Sequence, residues 1–476
     1  MSTTTQASQR IGALLDDNSF VEIGAQITAR TTDFNMKQTE TPSDGVVTGY
    51  GVINGNLVYV YSQDASVLGG SVGEMHAKKI ANLYDLAMKT GAPVIGLIDS
   101  AGLRLQEATD ALNGFGEIYL KQTMASGVIP QISAIFGTCG GGLAMIPALT
   151  DFTFMENKKA KLFVNAPNAI EGNEISKCDT SSAAFQSEEA GIVDVVADEA
   201  TILEQIRQLV SMIPANCEED TSLTECEDDL NRVCADLANC VGDTSIAISN
   251  IADNNVFFET KAAYAKDMVT GFIKLNGATV GVVANRSEIY DEEGKVAEKF
   301  DTALTARGCD KAADFVNFCD AFEIPVVTLT NVTGFKACEC NEKKIAKAAA
   351  KLTYAFANAT VPKINVIIGK AFGSAYVTMN SKAIGADMTF AWSDAKIGMM
   401  DAKLAAKIIC DGKGSDAIDA CAKEYDALQN DVMSAAKRGY VDSIIEAADT
   451  RKYVIGAFEM LYTKSEERPA KKHGTV

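Results

Sequence analysis

The chain has 476 residues, with 63 acidic side chains against 43 basic ones and a net charge of −20 at neutral pH. That balance argues against a nucleic-acid-binding protein and against one held to a membrane by charge, since both need a basic face. With 47% hydrophobic and 22% charged residues the composition is globular, and the length suits two to four domains.

In chain order, residues 1–9 are polar and carry no secretory hydrophobic segment. Residues 58–62, 94–98 and 132–136 are β-branched or aromatic runs suited to buried strands, and residues 74–89 and 114–126 have helical spacing. Asn54-Gly55 and Asn276-Gly277 read as hairpin turns. Residues 122–150 contain no charged side chain, but Pro130, Pro147 and a glycine cluster interrupt them. A lipid-spanning helix needs about 20 mostly apolar residues. The stretch therefore reads as a turn, a buried strand, a glycine turn and a buried helix. The acidic segment 216–243 holds Cys217, Cys226, Cys234 and Cys240 at spacings that fit no zinc pattern, and it reads as a solvated linker with a short helix. Strand-like runs return at 280–284, 325–330 and 365–368, so strands alternate with helices in an α/β core.

The second half repeats the first. Pro93-Val94-Ile95-Gly96-Leu97-Ile98-Asp99 returns as Pro325-Val326-Val327-Thr328-Leu329-Thr330-Asn331, an offset of 325 − 93 = 232. Gly102 returns as Gly334, Ile129-Pro130 as Val361-Pro362, Gly137 as Gly369, and Gly141-Gly142 as Gly373-Ser374, all at that offset. Val47-Thr48-Gly49, Asp151-Phe152-Thr153-Phe154 and Gly191-Ile192-Val193-Asp194 return at other offsets as Val269-Thr270-Gly271, Asp387-Met388-Thr389-Phe390 and Gly439-Tyr440-Val441-Asp442. Two homologous domains follow, 1–215 and 244–476, joined by 216–243.

Each half carries one glycine turn after a buried strand, Gly137-Thr138-Cys139-Gly140-Gly141-Gly142 and Gly369-Lys370-Ala371-Phe372-Gly373-Ser374-Ala375. Small residues there let a ligand approach the backbone. First-turn N–H groups of the following helix lack an internal partner and can hold an oxyanion. Neither turn has the Gly-Lys-Ser/Thr of a phosphate-binding loop or the G-x-G-x-x-G spacing of a dinucleotide site. Two histidines, His76 and His473, exclude multi-histidine metal sites and leave little scope for histidine acid–base chemistry; His76 reads as structural. The twelve cysteines contain no C-x-x-C, the closest pair being Cys338 and Cys340, and read as reduced, cytoplasmic thiols with no metal role. Trp392 reads as a core residue.

Several runs resemble the carboxyltransferase subunits of biotin-dependent acyl-CoA carboxylases and decarboxylases. They are Tyr61-Ser62-Gln63-Asp64-Ala65-Ser66-Val67-Leu68-Gly69-Gly70-Ser71, Ala125-Ser126-Gly127-Val128-Ile129-Pro130-Gln131-Ile132-Ser133, Pro147-Ala148-Leu149-Thr150-Asp151-Phe152-Thr153-Phe154-Met155 and Arg468-Pro469-Ala470-Lys471-Lys472-His473-Gly474. The resemblance implies tandem duplicated crotonase-like domains. It implies transfer of a carboxyl group between biotin, borne on a separate carrier protein, and the α-carbon of a short-chain coenzyme A thioester (propionyl-/methylmalonyl-CoA or acetyl-/malonyl-CoA). The ureido nitrogen of biotin can itself take the α-proton, so no side-chain base is required. Backbone N–H groups of Gly141 and Gly142 are expected to hold the thioester enolate, and those of Ser374 and Ala375 the ureido oxygen of biotin. Ala101, Gly102, Gly140, Gly373, Tyr376 and Val377 are expected to line the substrate sites, Val377 standing where propionyl-CoA enzymes commonly carry aspartate. Arg104, Lys78 and Lys79 are candidates for the phosphates of CoA. The implied assembly is a hexamer, a trimer of dimers, with the first domain of one subunit facing the second domain of another. Neither an ATP-grasp pattern nor a biotin-accepting Met-Lys-Met is present. The carrier, and a biotin carboxylase or a membrane decarboxylase subunit, must therefore be partners. The alternatives are the α-subunit of a sodium-pumping decarboxylase and a biotin-independent hydratase or isomerase, the latter needing carboxylates beside one glycine turn.

Overall fold

Both Asn-Gly dipeptides place two successive residues in the left-handed region, as a two-residue hairpin demands: Asn54 and Gly55 at φ 50° and 83°, Asn276 and Gly277 at 52° and 75°. One hairpin lies in each unit of the fold. In the computed structural model, which describes residues 5–30 and 40–475, the chain divides into two compact units, Met1–Ser222 and Leu223–Val476.

In the first unit the helix α1 (Gln6–Leu14) precedes β1 (Val21–Ile23), β2 (Val46–Ile53) and β3 (Asn56–Gln63). Next come α2 (Glu74–Thr90), β4 (Val94–Ile98), α3 (Ala108–Ala125), β5 (Gln131–Ile135), β6 (Thr138–Gly140), α4 (Met145–Ala148), β7 (Phe152–Glu156), β8 (Lys161–Phe163), β9 (Val195–Ala197) and α5 (Glu199–Met212). The main sheet runs β1-β2-β3-β4-β5-β7-β9. Its first three strands are antiparallel and the remainder parallel. Strands β4, β5 and β7 are buried along their whole length, which is why they read as unbroken apolar runs. Residues 122–150 form the end of α3, a turn, β5, the glycine turn and α4, as the proline and glycine interruptions require.

The second unit repeats this order. Its elements are α6 (Thr244–Ile251), β10 (Phe257–Thr260), β11 (Met268–Leu275), β12 (Ala278–Asn285), β13 (Glu288–Tyr290), β14 (Val296–Lys299), α7 (Ala306–Ala321) and β15 (Val326–Val332). They continue with α8 (Glu339–Glu342), α9 (Ile345–Asn358), β16 (Lys363–Phe372), α10 (Gly373–Thr378), β17 (Met388–Trp392), β18 (Lys396–Gly398), α11 (Ala402–Ile409), α12 (Ser415–Tyr425), α13 (Val432–Lys437), β19 (Ser443–Ile445) and α14 (Thr450–Leu461). The main sheet runs β10-β11-β12-β15-β16-β17-β19. Residues 223–243 lie against this unit, with Cys234, Leu237 and Cys240 buried in its core beside Ile248 and Val454. Among the described residues, no helix is long and apolar enough to cross a membrane, and no group of three or more His, Cys, Asp or Glu side chains is set to hold a metal ion.

The repeat extends to individual hydrogen bonds. Asp16 accepts from the N–H groups of Asn54 and Gly55 at 3.1 Å each. Asp253 accepts from Asn276 and Gly277 at 3.3 and 2.8 Å. Asp194 accepts from Thr153 N–H at 2.8 Å, and Asp442 from Thr389 N–H at 2.8 Å. Asp151 accepts from Gln131 N–H at 2.7 Å, and Asp387 from Lys363 N–H at 2.8 Å. These aspartates recur because each satisfies a strand-end or hairpin N–H that would otherwise be unpaired.

One pair is unequal. Asp387 meets Lys464 Nζ at 2.9 Å, whereas Asp151 meets no cation among the described residues. Burial pushes the Asp151 carboxyl up to about 7, Gln131 N–H opposing and Asp194 reinforcing the shift. A folded-state value above the ordinary one near 3.9 gives a contribution fully present below about pH 4 and lost as pH rises through about 7. The first unit should therefore melt at lower temperature at pH ~8 than at pH ~6, and Asp151→Asn should flatten that dependence. Thermal melts at constant ionic strength check this; an unchanged slope in the variant contradicts it.

Candidate functional site

The first glycine turn is built by a short parallel pairing of β6 on β8, which carries the chain past the end of β5 to Gly140. At Gly141 φ is +63°, a conformation that strains any L side chain, and the space where a Cβ would stand is open for 4 Å. The chain then enters the 3-10 turn Gly141–Ala144, which runs into α4, and Gly142 is exposed. The carbonyl of Gly142 accepts from Tyr119 Oη at 2.6 Å, fixing the turn to α3. Asp99 stands beside Gly137, and the side chains next to Gly140 and Gly142 are aromatic. A Cβ on Gly142 would lie 3.1 Å from Tyr119 Oη and 3.3 Å from the Phe115 ring, and one on Gly140 2.7 Å from the Phe163 ring.

The loop after β4 joins this turn. Ser100 N–H donates to Thr138 O at 3.0 Å, Ala101 N–H to Gly69 O at 2.8 Å and Val72 N–H to Gly102 O at 2.8 Å. Gly102, at φ +94°, has the position of its missing Cβ 3.5 Å from Gly140 O. Ala101, Gly102, Gly140, Gly141 and Gly142 are thus brought together in one unit.

The second turn is the same device. Residues Lys370–Phe372, the end of β16, pair with β18, Gly373 has φ +63°, and α10 begins there. Ser374 is exposed, and its carbonyl accepts from Thr378 Oγ1 at 3.0 Å where Gly142 uses Tyr119. The loop after β15 repeats the earlier bonds, Leu304 N–H donating to Gly334 O at 2.9 Å and Lys336 N–H to Leu304 O at 2.9 Å. Structural equivalence matches Gly141 with Gly373 and Gly142 with Ser374, so the expected amide pairs are one residue out of step: Ala375, unlike Gly142, is buried. Tyr376 lines a cleft of about 310 Å³ with Ile397, Tyr425, Arg438 and Tyr440, and burial pushes its hydroxyl up to about 12. Val377 is half-buried, its carbonyl accepting from Ser381 Oγ at 3.0 Å.

Two of the three cations expected at the phosphates, Arg104 and Lys79, are buried and occupied. Arg104 is 2% exposed and occupied by Asp44 and Glu107, each at 2.7 Å, and by Ser71 O at 2.7 Å. Lys79 is buried with its ammonium on the carbonyls of Ser43 and Val46. Lys311 does the same in the second unit with Met268 O at 2.7 Å. Lys78 is exposed and pairs with Glu74 at 2.6 Å. His76 is buried, with Nδ1 2.9 Å from Asp44 O and Nε2 3.1 Å from Gln63 Nε2; burial pushes its pKa down to about 3, so it stays neutral at physiological pH. His473 is exposed in the C-terminal tail. Trp392 is core, its Nε1 donating to Thr450 Oγ1 at 3.0 Å. Tyr119 is the residue missed by sequence reasoning, since nothing local links it to a carbonyl 23 positions away.

The carboxyl transferase domain family model matches residues 4–476. Methylmalonyl-CoA decarboxylase subunit alpha of Propionigenium modestum is 39% identical, over 99% of this chain and 92% of its own length. Propionyl-CoA carboxylase beta chain of Roseobacter denitrificans is 41% identical, over 99% and 93%. Among solved structures, the hexameric transcarboxylase 12S with methylmalonyl-CoA bound superposes with a TM-score of 0.92 at 37% identity, covering 98% of this chain and 92% of that one.

Proposed function

The chain belongs to the carboxyl transferase family, and we propose that its two glycine turns are paired amide sites, one for an acyl-CoA and one for carrier-borne biotin. The enzyme is a biotin-dependent acyl-CoA carboxyltransferase of the propionyl-CoA carboxylase, methylmalonyl-CoA decarboxylase and transcarboxylase type, with two tandem crotonase-like domains. Biotin supplies or receives the carboxyl group at its ureido nitrogen. The protein's task is to position both molecules and to bind developing negative charge.

The observation that carries this reading is the equivalence of Gly141 and Gly373, both at φ +63° and each followed by an exposed residue. The open space over Gly141 leaves room for a thioester. In the first domain the N–H groups of Gly141 and Gly142 hold the thioester enolate oxygen. In the second, those of Ser374 and Ala375 hold the ureido oxygen, with Ser374 the donor equivalent to Gly142. One such donor contributes roughly 3 kcal/mol in a transition state. Asp99, the carboxylate beside Gly137, is paired with Arg10 at 3.2 Å, and the side chains nearest Gly140 and Gly142 are the aromatic Phe163, Phe115 and Tyr119, which disfavours the hydratase alternative. Ala101 and Gly102 form the mouth of the acyl site, and Val377 with Tyr376 sets acyl preference.

The active site forms in a cytoplasmic hexamer, where the first domain of one subunit meets the second domain of another. A biotin carboxyl carrier protein delivers biotin. A biotin carboxylase partner makes the system a carboxylase, and a membrane decarboxylase subunit makes it a decarboxylase. The test is transfer from methylmalonyl-CoA or malonyl-CoA to free biotin or a purified carrier. Biotin-dependent transfer supports the reading; hydration of an enoyl-CoA without biotin contradicts it. Tyr119→Phe, which frees the Gly142 carbonyl, should lower kcat/KM by up to about tenfold, the worth of one hydrogen bond. Steady-state kinetics with the melting temperature as control check this, and an unchanged kcat/KM would remove Tyr119 as a positioning residue.

A further inference from the structure

We propose that Cys338 and Cys340 form a dithiol that closes reversibly to a disulfide by exchange with a low-molecular-weight disulfide such as oxidised glutathione. Their sulfurs lie 3.0 Å apart, Cys340 is exposed and Cys338 half-buried. A disulfide needs a separation of about 2.05 Å, so closure requires the two sulfurs to approach by only about 1 Å. Cys338 sits in extended backbone, φ −148° and ψ 153°, as the cap of the four-residue helix α8 that contains Cys340. The loop carrying them follows β15, whose last residue, Val332, is in register with Ala371 two positions before Gly373.

This pair differs from the buried cysteines. Burial pushes the thiols of Cys139, Cys309 and Cys319 up, which keeps them protonated and unreactive. The Cys338 thiol is pulled below its usual range by hydrogen bonding from Cys340, then by the Asn341 N–H, with Lys336 adding in the same direction. Exposure and thiolate character are what select a cysteine for exchange. In the first step the Cys338 thiolate attacks one sulfur of glutathione disulfide, the S–S bond breaks, and one glutathione leaves and takes up a proton. In the second, Cys340 gives up its proton and attacks the Cys338 sulfur, releasing the second glutathione. Two protein thiols are oxidised and one glutathione disulfide is reduced to two thiols. A ring closed over a single intervening residue is strained, and strained, exposed disulfides are the readily reversed ones.

The experiment equilibrates the full-length protein in glutathione buffers of increasing oxidised fraction, quenches with acid, alkylates and digests with trypsin. Cleavage after Lys336 and Lys343 releases residues 337–343, which contain these two cysteines and no other. Most of the doubly alkylated peptide should be lost at high oxidised glutathione, replaced by an internally bridged one, and recovered with dithiothreitol. In Cys340→Ser the same peptide should carry glutathione on Cys338 instead. Cys178, exposed and unpaired, is the reference that can only be glutathionylated. A wild-type peptide that stays doubly alkylated, that accumulates stable glutathione adducts, or that bridges to another cysteine overturns the proposal. The readout is independent of carboxyl transfer.

Discussion

Gly141→Val should abolish carboxyl transfer while leaving the protein folded. A β-branched residue at φ +63° is a backbone outlier costing on the order of 1–3 kcal/mol. A domain of ordinary stability, about 5–15 kcal/mol, survives that loss. No atom stands within 4 Å of the new Cβ, so the penalty is conformational rather than a clash. The chain relieves it by rotating the peptide between residues 141 and 142, and that peptide carries the Gly142 N–H. Displacing one preorganised donor costs about 10²–10³ in kcat, and displacing the pair costs more. Gly141→Ala, strained but not β-branched, should fall between. Transfer rates beside circular dichroism and melting curves check the series; full activity in the valine variant would count heavily against the amide site.

Arg104→Met should destabilise the first domain by about 3–5 kcal/mol, because it leaves two buried carboxylates without their cation. Arg104 Nη1 bridges Asp44 and Glu107 at 2.7 Å each. Their other oxygens accept from His76 N–H at 2.8 Å and Glu74 N–H at 2.6 Å, at the start of α2. Burial already pushes the Asp44 carboxyl up, with Arg104 pulling against it. Without the guanidinium the Asp44 carboxyl is pushed further up by burial, and the loop carrying Ala101 and Gly102 loses its anchor. Lys78→Met, at an exposed pair, should leave the unfolding midpoint essentially unchanged. Denaturant unfolding separates the two. A variant of Arg104 with unchanged stability and a raised KM for acyl-CoA alone would restore the phosphate role that the buried triad excludes.

The duplication was legible because a strand, its glycine turn and the following loop must keep their spacing for the backbone to bond as it does. The constant offset of 232 between Gly102 and Gly334, or Gly141 and Gly373, is the trace of that constraint. Strands such as Val94–Ile98 were legible because both faces are buried, so every position is apolar. Roles set by distant partners were not. Arg104 and Lys79 look like any surface cation until Asp44, Glu107 and the carbonyls of Ser43 and Val46 are in place. The repeated aspartates were visible as letters, but their work is to hold N–H groups from other segments. Segment 223–243, acidic by composition, also supplies Leu237 and Cys240 to the second core, a packing its charge conceals.

On the proposed function, backbone amides on the two equivalent turns hold negative charge on two different molecules. A crystal structure of the assembled protein with an acyl-CoA and biotin tests it most directly. The thioester oxygen should lie within about 2.7–3.1 Å of the Gly142 N–H in one subunit, and the ureido oxygen at the same distance from the Ser374 N–H of the facing domain. Ligands bound elsewhere, or turns at 141 and 374 remote from each other in every subunit pairing, would contradict it.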